Sequence, residues 1–330
     1  MRRPAIVIVT FKRQELLANL FGSIERLAMA PWRVVVVDNE DSERTAELVA
    51  GFADRVRGLW GDTTDDPDEQ GWVSRVVYAP QAENTGGSGG FCEGVRIAYE
   101  LGAEWFWVMD DDVAVEPDGL DALDRWCDRA DAIQGQRRDF DGGAFYWQYR
   151  FSTALAIYNP LSRSSWKPGE EYKECNALCF EGGFFRRTVP DKVGLPDKRF
   201  FIYLDDACYG YLASKVGKVI LIPDFVLSRE REVANKEIGS VRQLNSTSDM
   251  TRLYITRNRA YLARYFQLYG EYNPVGYGFG TFLTYAKEII RLLIVDRGHL
   301  RSGMTRLNEG WRESKQILHD PNWKPMPPLA

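Results

Sequence analysis

Short, wholly apolar runs alternate with amphipathic stretches along the first hundred residues, and this alternation predicts most of the architecture. Ala5–Val9 reads as a buried strand and Arg13–Leu27 as an amphipathic helix. Val34–Val37 is a second strand, stopped by Asp38-Asn39, and Ser42–Phe52 a helix with a Ser N-cap. Val73–Tyr78 is a third strand; a glycine-rich turn, Asn84–Gly90, then leads into a helix at Phe91–Leu101. Trp105–Met109 is the fourth strand. Strands that alternate with helices imply right-handed crossovers and a mainly parallel, doubly wound α/β sheet. The acidic stretch between Arg57 and Gly71 reads as a surface loop, and the aromatic-rich segment from Gly142 to Arg187 as a smaller mixed sheet.

Further on, Phe200–Val216 carries Asp205-Asp206 into a helix, and Val219–Ile222 is a last strand. The character changes after Arg229. A charged linker leads to helical stretches at Thr251–Gln267 and Tyr277–Val295, and four prolines keep the tail Pro321–Ala330 extended. The expected organisation is a catalytic domain over 1–228, with a nucleotide-binding half to about 112 and an acceptor half beyond it, followed by a helical region over 229–330.

Composition narrows the classes. A chain of 330 residues buries a sizeable core. Its net charge of −5 gives no polyanion footprint, which argues against a nucleic-acid partner. Five scattered cysteines and no nearby His pair argue against a structural zinc site and for reduced thiols in the cytoplasm. No window of about 18 uncharged apolar residues suggests a membrane span, and the apolar run near the N-terminus is too short for a signal peptide.

The candidate chemistry lies where strands end. In Trp105-Phe-Trp-Val-Met-Asp110-Asp111-Asp112, strand alternation sends Asp110 and Asp112 to one face and Asp111 to the other. Paired carboxylates there offer hard oxygen ligands to Mg²⁺ or Mn²⁺; solvated turn residues have the same composition. Asn84–Gly90, with Gly86, Gly87 and Gly90, suits a diphosphate at a helix N-terminus, and equally a tight strand–helix turn. Asp38 and Asn39 sit where open α/β sheets bind ligands, a place for ribose or base contacts. Thr10-Phe11-Lys12-Arg13 closes the first strand on the same edge, with Phe11 to stack and Arg13 to neutralise phosphate. Downstream, Asp205 and Asp206 open a helix. Helix caps are one use of such a pair. Deprotonating an incoming hydroxyl and orienting an acceptor is the other. Neither His299 nor His319 lies in a motif, so acyl-enzyme chemistry has no support.

In order, Val-Thr-Phe-Lys-Arg, Val-Val-Asp-Asn, Asn-Thr-Gly-Gly-Ser-Gly-Gly-Phe, Trp-Val-Met-Asp-Asp-Asp, Glu-Gly-Gly-Phe-Phe and Phe-Ile-Tyr-Leu-Asp-Asp-Ala-Cys-Tyr-Gly resemble family 2 glycosyltransferases of the GT-A fold. Within that group the pattern is most similar to bacterial galactofuranosyltransferases. It runs from about Ile6 to Ala263 and takes in Arg257-Asn258, similar to an Arg-Asn motif after the catalytic domain. The resemblance implies that Phe11, Arg13, Asp38 and Asn84 hold a uridine diphosphate sugar. It further implies that Asp110 and Asp112 bind a divalent cation, Mn²⁺ or Mg²⁺, that Asp206 is the general base, and that Glu181, Gly182 and Gly183 face sugar and acceptor. The implied reaction is an inverting displacement onto a cell-surface polysaccharide or lipid-linked glycan. One departure stands out: the family commonly places a metal-ligating His after the last core strand, and here that segment reads Pro223-Asp224-Phe-Val-Leu-Ser228, with water or Asp224 as the expected substitute.

Three readings compete with this one: a dTDP-rhamnose-dependent rhamnosyltransferase, a nucleotidyltransferase on the same sheet, and a non-catalytic partner subunit that keeps the fold. In Tyr277–Val295 an apolar face carrying Phe282, Ile289, Ile290, Leu292 and Leu293 is flanked by Lys287, Arg291 and Arg297. It suits a helix lying on the inner face of the cell membrane, or one packed on the catalytic domain or on a second copy in a homo-oligomer.

Overall fold

The structure is a computed structural model. It describes residues 2–330 except 62–73, 146, 160, 163–164, 232–234 and 239–241, and for 235–238 and 242–245 the backbone alone. The start of the expected third strand, Val73, and residues 62–71 of the expected loop lie outside the described residues.

The first half alternates as its apolar pattern demands: β1 (Pro4–Thr10), α1 (Gln14–Ile24), β2 (Arg33–Asp38), α2 (Glu43–Trp60), β3 (Val76–Pro80), α3 (Gly86–Glu100) and β4 (Trp105–Asp110). Then follow β5 (Val113–Val115), α4 (Gly119–Asp124), β6 (Ala132–Arg138), β7 (Phe151–Ser152), β8 (Ile157–Tyr158), β9 (Lys173–Glu174), β10 (Gly183–Arg186), α5 (Thr188–Val193), α6 (Asp205–Val216) and β11 (Val219–Arg229). A ribbon of β12 (Asn235–Ile238) and β13 (Arg242–Asn245) precedes four helices: α7 (Asp249–Arg257), α8 (Arg259–Leu268), α9 (Pro274–Ile294) and α10 (Leu300–His319).

The main sheet has the order β3-β2-β1-β4-β10-β6-β11-β5, with β9 also on β11. Strands β3, β2, β1 and β4 are parallel, and β6 is parallel to β11, while β10 runs antiparallel between β4 and β6. Alternation divides the core. Ile6, Ile8, Val34 and Val36 face Leu17, Phe21 and Phe52 of α1 and α2, whereas Val7, Val9, Val35 and Val37 face Phe91 and Val95 of α3. The chain leaves β1 toward β2 and later returns to β4 on its other side. The crevice outside the ends of β1 and β4 is therefore the switch point at which such sheets bind ligands.

Several expected boundaries move. The helix expected from Phe91 begins at Gly86, so the glycine-rich stretch is its first turns rather than a loop before it. Helix α2 runs on to Trp60, absorbing the start of the expected loop. From the aromatic-rich segment, β10 enters the main sheet, and the smaller sheet there is the antiparallel pair β7-β8. The expected helix Thr251–Gln267 breaks at Asn258 into two. Helix α10 carries Leu300, Met304, Leu307, Trp311 and Leu318 at helical spacing. It packs through Gly303, where a Cβ would come within 2.5 Å of Leu292, and Gly310, where one would come within 2.4 Å of the Leu253 carbonyl. Leu262, Ala263, Tyr265 and Phe266 of α8 join the same core as Val7 and Phe91. No helix among the described residues is long and apolar enough to cross a membrane.

Candidate active site

Three strand ends meet at the switch point. Thr10 Oγ1 donates to Asp111 Oδ2 at 2.7 Å, and Arg13 Nη1 donates to Asp111 at 3.1 Å and Asp112 at 2.9 Å. Asp111 thus turns into the sheet edge, as strand alternation predicts. Phe11 is exposed beside them, with Lys12 over its ring at 5.2 Å. The Asp38 carboxylate is buried and accepts from the Glu40 and Ser42 amides and, at 2.8 Å, from the Tyr78 hydroxyl. Those three bonds shape the turn into α2. Asn39 clamps the next crossover: it donates to the Gly86 carbonyl at 3.0 Å and accepts from Thr85 Oγ1 at 2.9 Å. Asn84 accepts from the Gly86 amide at 2.9 Å.

The glycines near Asn84 have separate tasks. Gly86 has φ +71°, and a Cβ there would lie 2.1 Å from the Phe201 carbonyl. At Gly90 a Cβ would lie 2.5 Å from Val9, so α3 sits directly on β1. At Gly87 the nearest atom is Phe91 at 4.0 Å, leaving its helical amide side open. Packing thus accounts for Gly86 and Gly90, not for Gly87.

Asp110, Asp112 and Glu181 bring carboxylate oxygens within 4.8 Å of one another. Burial, then the charges of Asp112 and Glu181, hold the Asp110 carboxyl well above its ordinary range. Such an all-oxygen set fits a divalent cation. Glu181 also accepts from Arg137 and, at 3.1 Å, from Arg229 Nη2. Gly182 and Gly183, expected beside the substrate, are buried in the sheet. A Cβ would meet Leu227 at 2.5 Å at Gly182 and the Cys179 carbonyl at 2.9 Å at Gly183. Ser228 donates to Glu116 at 2.7 Å and Asp224 pairs with Arg125 at 2.9 Å. Neither belongs to the carboxylate cluster; among the described residues its third member is Glu181.

Asp205 and Asp206 start α6 after a loop in which Phe201, Tyr203 and Leu204 have φ of +64°, +68° and +67°. Burial first, then the neighbouring Asp205, pushes the Asp206 carboxyl up to about 7. Burial likewise raises Asp205, against the Ser88 hydroxyl and the helix amides that lower it. Asp206 opens onto a cavity of about 280 Å³ walled by Phe145, Trp147 and Tyr158, with Arg137, Glu181 and Arg229 at its polar end. Arg137 escaped sequence reasoning. Its strand, β6, carries Gln134, Gln136 and Arg137 at buried positions, and only that set of buried polar residues inside a sheet segment hints at a site.

A carboxylate cluster at the β1–β4 switch point and a second carboxylate pair across a cavity define a nucleotide-sugar transferase fold of the GT-A type. The family described as "Glycosyl transferase family 2" matches residues 5–189, and the chain belongs to it. It is 27% identical over 212 residues to galactofuranosyltransferase GlfT1 of Mycolicibacterium smegmatis, covering 61% of each chain. To GlfT1 of Mycobacterium tuberculosis strain H37Rv it is 26% identical, covering 61% of this chain and 60% of that one. The match therefore spans about three fifths of these relatives. In fold it is similar to Staphylococcus aureus TarS 1–349 in complex with UDP, with TM-score 0.55, 9% identity and coverage of 96% and 81%. A mannosyltransferase of Pyrobaculum calidifontis, PcManGT, in complex with GDP-Man and Mn²⁺, matches with TM-score 0.53, 13% identity and coverage of 98% and 89%.

Proposed function

We propose that the chain is an inverting glycosyltransferase that moves galactofuranose from UDP-galactofuranose onto a polysaccharide or lipid-linked glycan. The observation that carries the reading is Asp206, a carboxylate raised to about 7 on a cavity that Glu181, the third member of the Asp110–Asp112 cluster, also lines. The galactofuranosyltransferases among its relatives support the choice of sugar. The Asp206 carboxylate takes the proton of the acceptor hydroxyl as its oxygen attacks C1 from the side opposite the diphosphate; the C1–O bond to the diphosphate breaks and the centre inverts. A divalent cation held by Asp110 and Asp112 would supply positive charge against the departing diphosphate. Phe145, Trp147 and Tyr158 offer flat faces to sugar rings at the acceptor end.

A membrane surface is the setting that α9 suits. Val275, Phe279, Phe282, Ile290 and Leu293 are exposed along it, with Lys287, Arg297 and Arg301 exposed nearby. The acids of that stretch are buried: Glu288 pairs with Arg291 and Asp296 with Arg252. An apolar face ringed by cations favours anionic lipid, which supports a peripheral protein and a lipid-linked acceptor. The test is incubation of purified protein with a panel of sugar nucleotides, measuring released nucleoside diphosphate. UDP-galactofuranose is expected to be turned over. Release from dTDP-rhamnose alone would replace the donor, and release from none would overturn the reading.

A further inference from the structure

Arg137 is only 4% exposed, yet it lines the same cavity as Asp206 and Glu181. Its Nη1 donates to Cys179 Sγ at 3.1 Å and to a Glu181 carboxylate oxygen. The Phe145 ring lies 4.5 Å from its guanidinium carbon and the Trp147 ring 5.9 Å. Glu181 belongs to the Asp110–Asp112 cluster, and Cys179 lines the same cavity wall as Asp206. A buried guanidinium needs one carboxylate to offset its desolvation. Glu181 alone meets that need, so the thiol and the two rings exceed what a simple structural ion pair requires.

We infer that Arg137 is a positioning residue that fixes Glu181 beside the Asp110–Asp112 pair and sets the field at Asp206 across the cavity. The second half rests on the reading of Asp206 as the base. The groups facing Asp206 are Asp205 and Cys208 on its own helix, Cys179 before β10, Tyr158 of β8 and Arg137 of β6. Glu181 and Arg229 line the same cavity, and Arg137 is the cation whose charge lowers Asp206. Its charge opposes the burial and the Asp205 repulsion that favour the neutral carboxyl. Without it, Asp206 holds its proton to higher pH and is a poorer acceptor at neutrality.

The experiment compares wild type, Arg137→Met and Arg137→Lys by infrared difference spectroscopy against pH, with Asp206→Asn subtracted to isolate the Asp206 carboxyl band. In Arg137→Met the midpoint is expected to rise by about one pH unit, and in Arg137→Lys to return to within about 0.3 of wild type. The acid limb of kcat/KM for acceptor should move with it. UDP affinity measured by calorimetry without divalent cation should change by less than about threefold, because Arg137 reaches the nucleotide only through Glu181 and the cation that the cluster would hold. An unmoved midpoint in a folded Arg137→Met overturns the inference, as does equal loss of UDP affinity and turnover with no shift. The band titrates whether or not the enzyme turns over. Equal turnover in wild type and Asp206→Asn would instead count against Asp206 as the base.

Discussion

Asn258 grips Phe200: its side-chain amide donates to the Phe200 carbonyl at 2.9 Å. The same amide also reaches the carbonyls of Ile202 at 2.7 Å and Tyr203 at 2.9 Å, and Arg257 adds bonds to those of Arg199 and Phe200. These donors hold the loop whose three left-handed non-glycine residues lead into α6 and set Asp206 on the cavity. Backbone of that kind costs on the order of 1–3 kcal/mol per residue and persists only when its surroundings enforce it. The Arg257-Asn258 pair, first noticed as part of a resemblance, thus has a mechanical task. Asn258→Ala should destabilise the protein by about 2 kcal/mol or more, from carbonyls left without donors. It should also lower turnover at least tenfold while UDP affinity stays near wild type. Denaturant unfolding and steady-state kinetics check both; an unchanged kcat would show that the loop holds its shape without Asn258.

Asp206→Asn keeps shape and removes the proton acceptor. Turnover should fall by about a hundredfold or more, with donor binding unchanged. In wild type, kcat/KM should drop on the acid side of about pH 7, where Asp206 takes up its proton. The stability effect has the opposite sense. The folded carboxyl holds its proton to about pH 7 and the unfolded one releases it near 4, so wild-type stability declines between those values as pH rises. Asp206→Asn should therefore be the more stable protein at pH 8, by chemical unfolding.

Removal of divalent cations should abolish turnover, and Mn²⁺ or Mg²⁺ should restore it, because Asp110, Asp112 and Glu181 concentrate negative charge where the diphosphate must leave. Asp112→Ala should weaken UDP binding measured with Mn²⁺ but not without it. Full activity in EDTA would assign leaving-group stabilisation to cations of the protein, with Arg13 and Arg229 the first to examine.

Two glycine substitutions separate packing from ligand contact in α3. Gly90→Ala drives a methyl into Val9 and should cost about 1–3 kcal/mol. Gly87→Ala meets only open space and should be neutral or stabilising by a few tenths to about 1 kcal/mol. A folded Gly87→Ala that binds UDP tenfold more weakly would place a phosphate beside residue 87. Unchanged UDP affinity would leave the glycine-rich stretch purely a packing device.

Flotation with anionic liposomes tests the exposed face of α9. At low salt the full chain should rise with the vesicles and at high salt it should be released, as screening of Lys287, Arg297 and Arg301 requires. Protein that stays at the bottom at low salt would direct attention to soluble acceptors.

The parts legible in the sequence were those written in a single period. Ile6–Val9 and Val34–Val37 are buried on both faces, so their valine and isoleucine runs announce parallel strands, the second closed by Asp38. Asp205-Asp206 was legible as a helix start, because a carboxylate pair after an apolar run suits the first turn it occupies in α6. Strand β6 was not, since it is buried yet polar: Gln134 serves the Glu181 carbonyl and Cys179 amide, and Gln136 the Pro223 carbonyl. Helix α10 has an apolar stripe through Leu307, and its close docking at Gly303 and Gly310 is what composition does not announce. Glycines also defeat composition at 86–90, where close packing and phosphate binding call for the same residue.

The grip of Asn258 gives the site an order of assembly. A nascent chain extended only as far as β11 already contains all five carboxylates of the two clusters, yet lacks the amide that holds the 200–204 loop. The loop that carries the chain into Asp205-Asp206 is therefore completed only when residues beyond β11 are present to donate to its carbonyls. A later-made part of the chain thus secures a segment made some fifty residues earlier, and a truncation after β11 would leave those carbonyls without these donors.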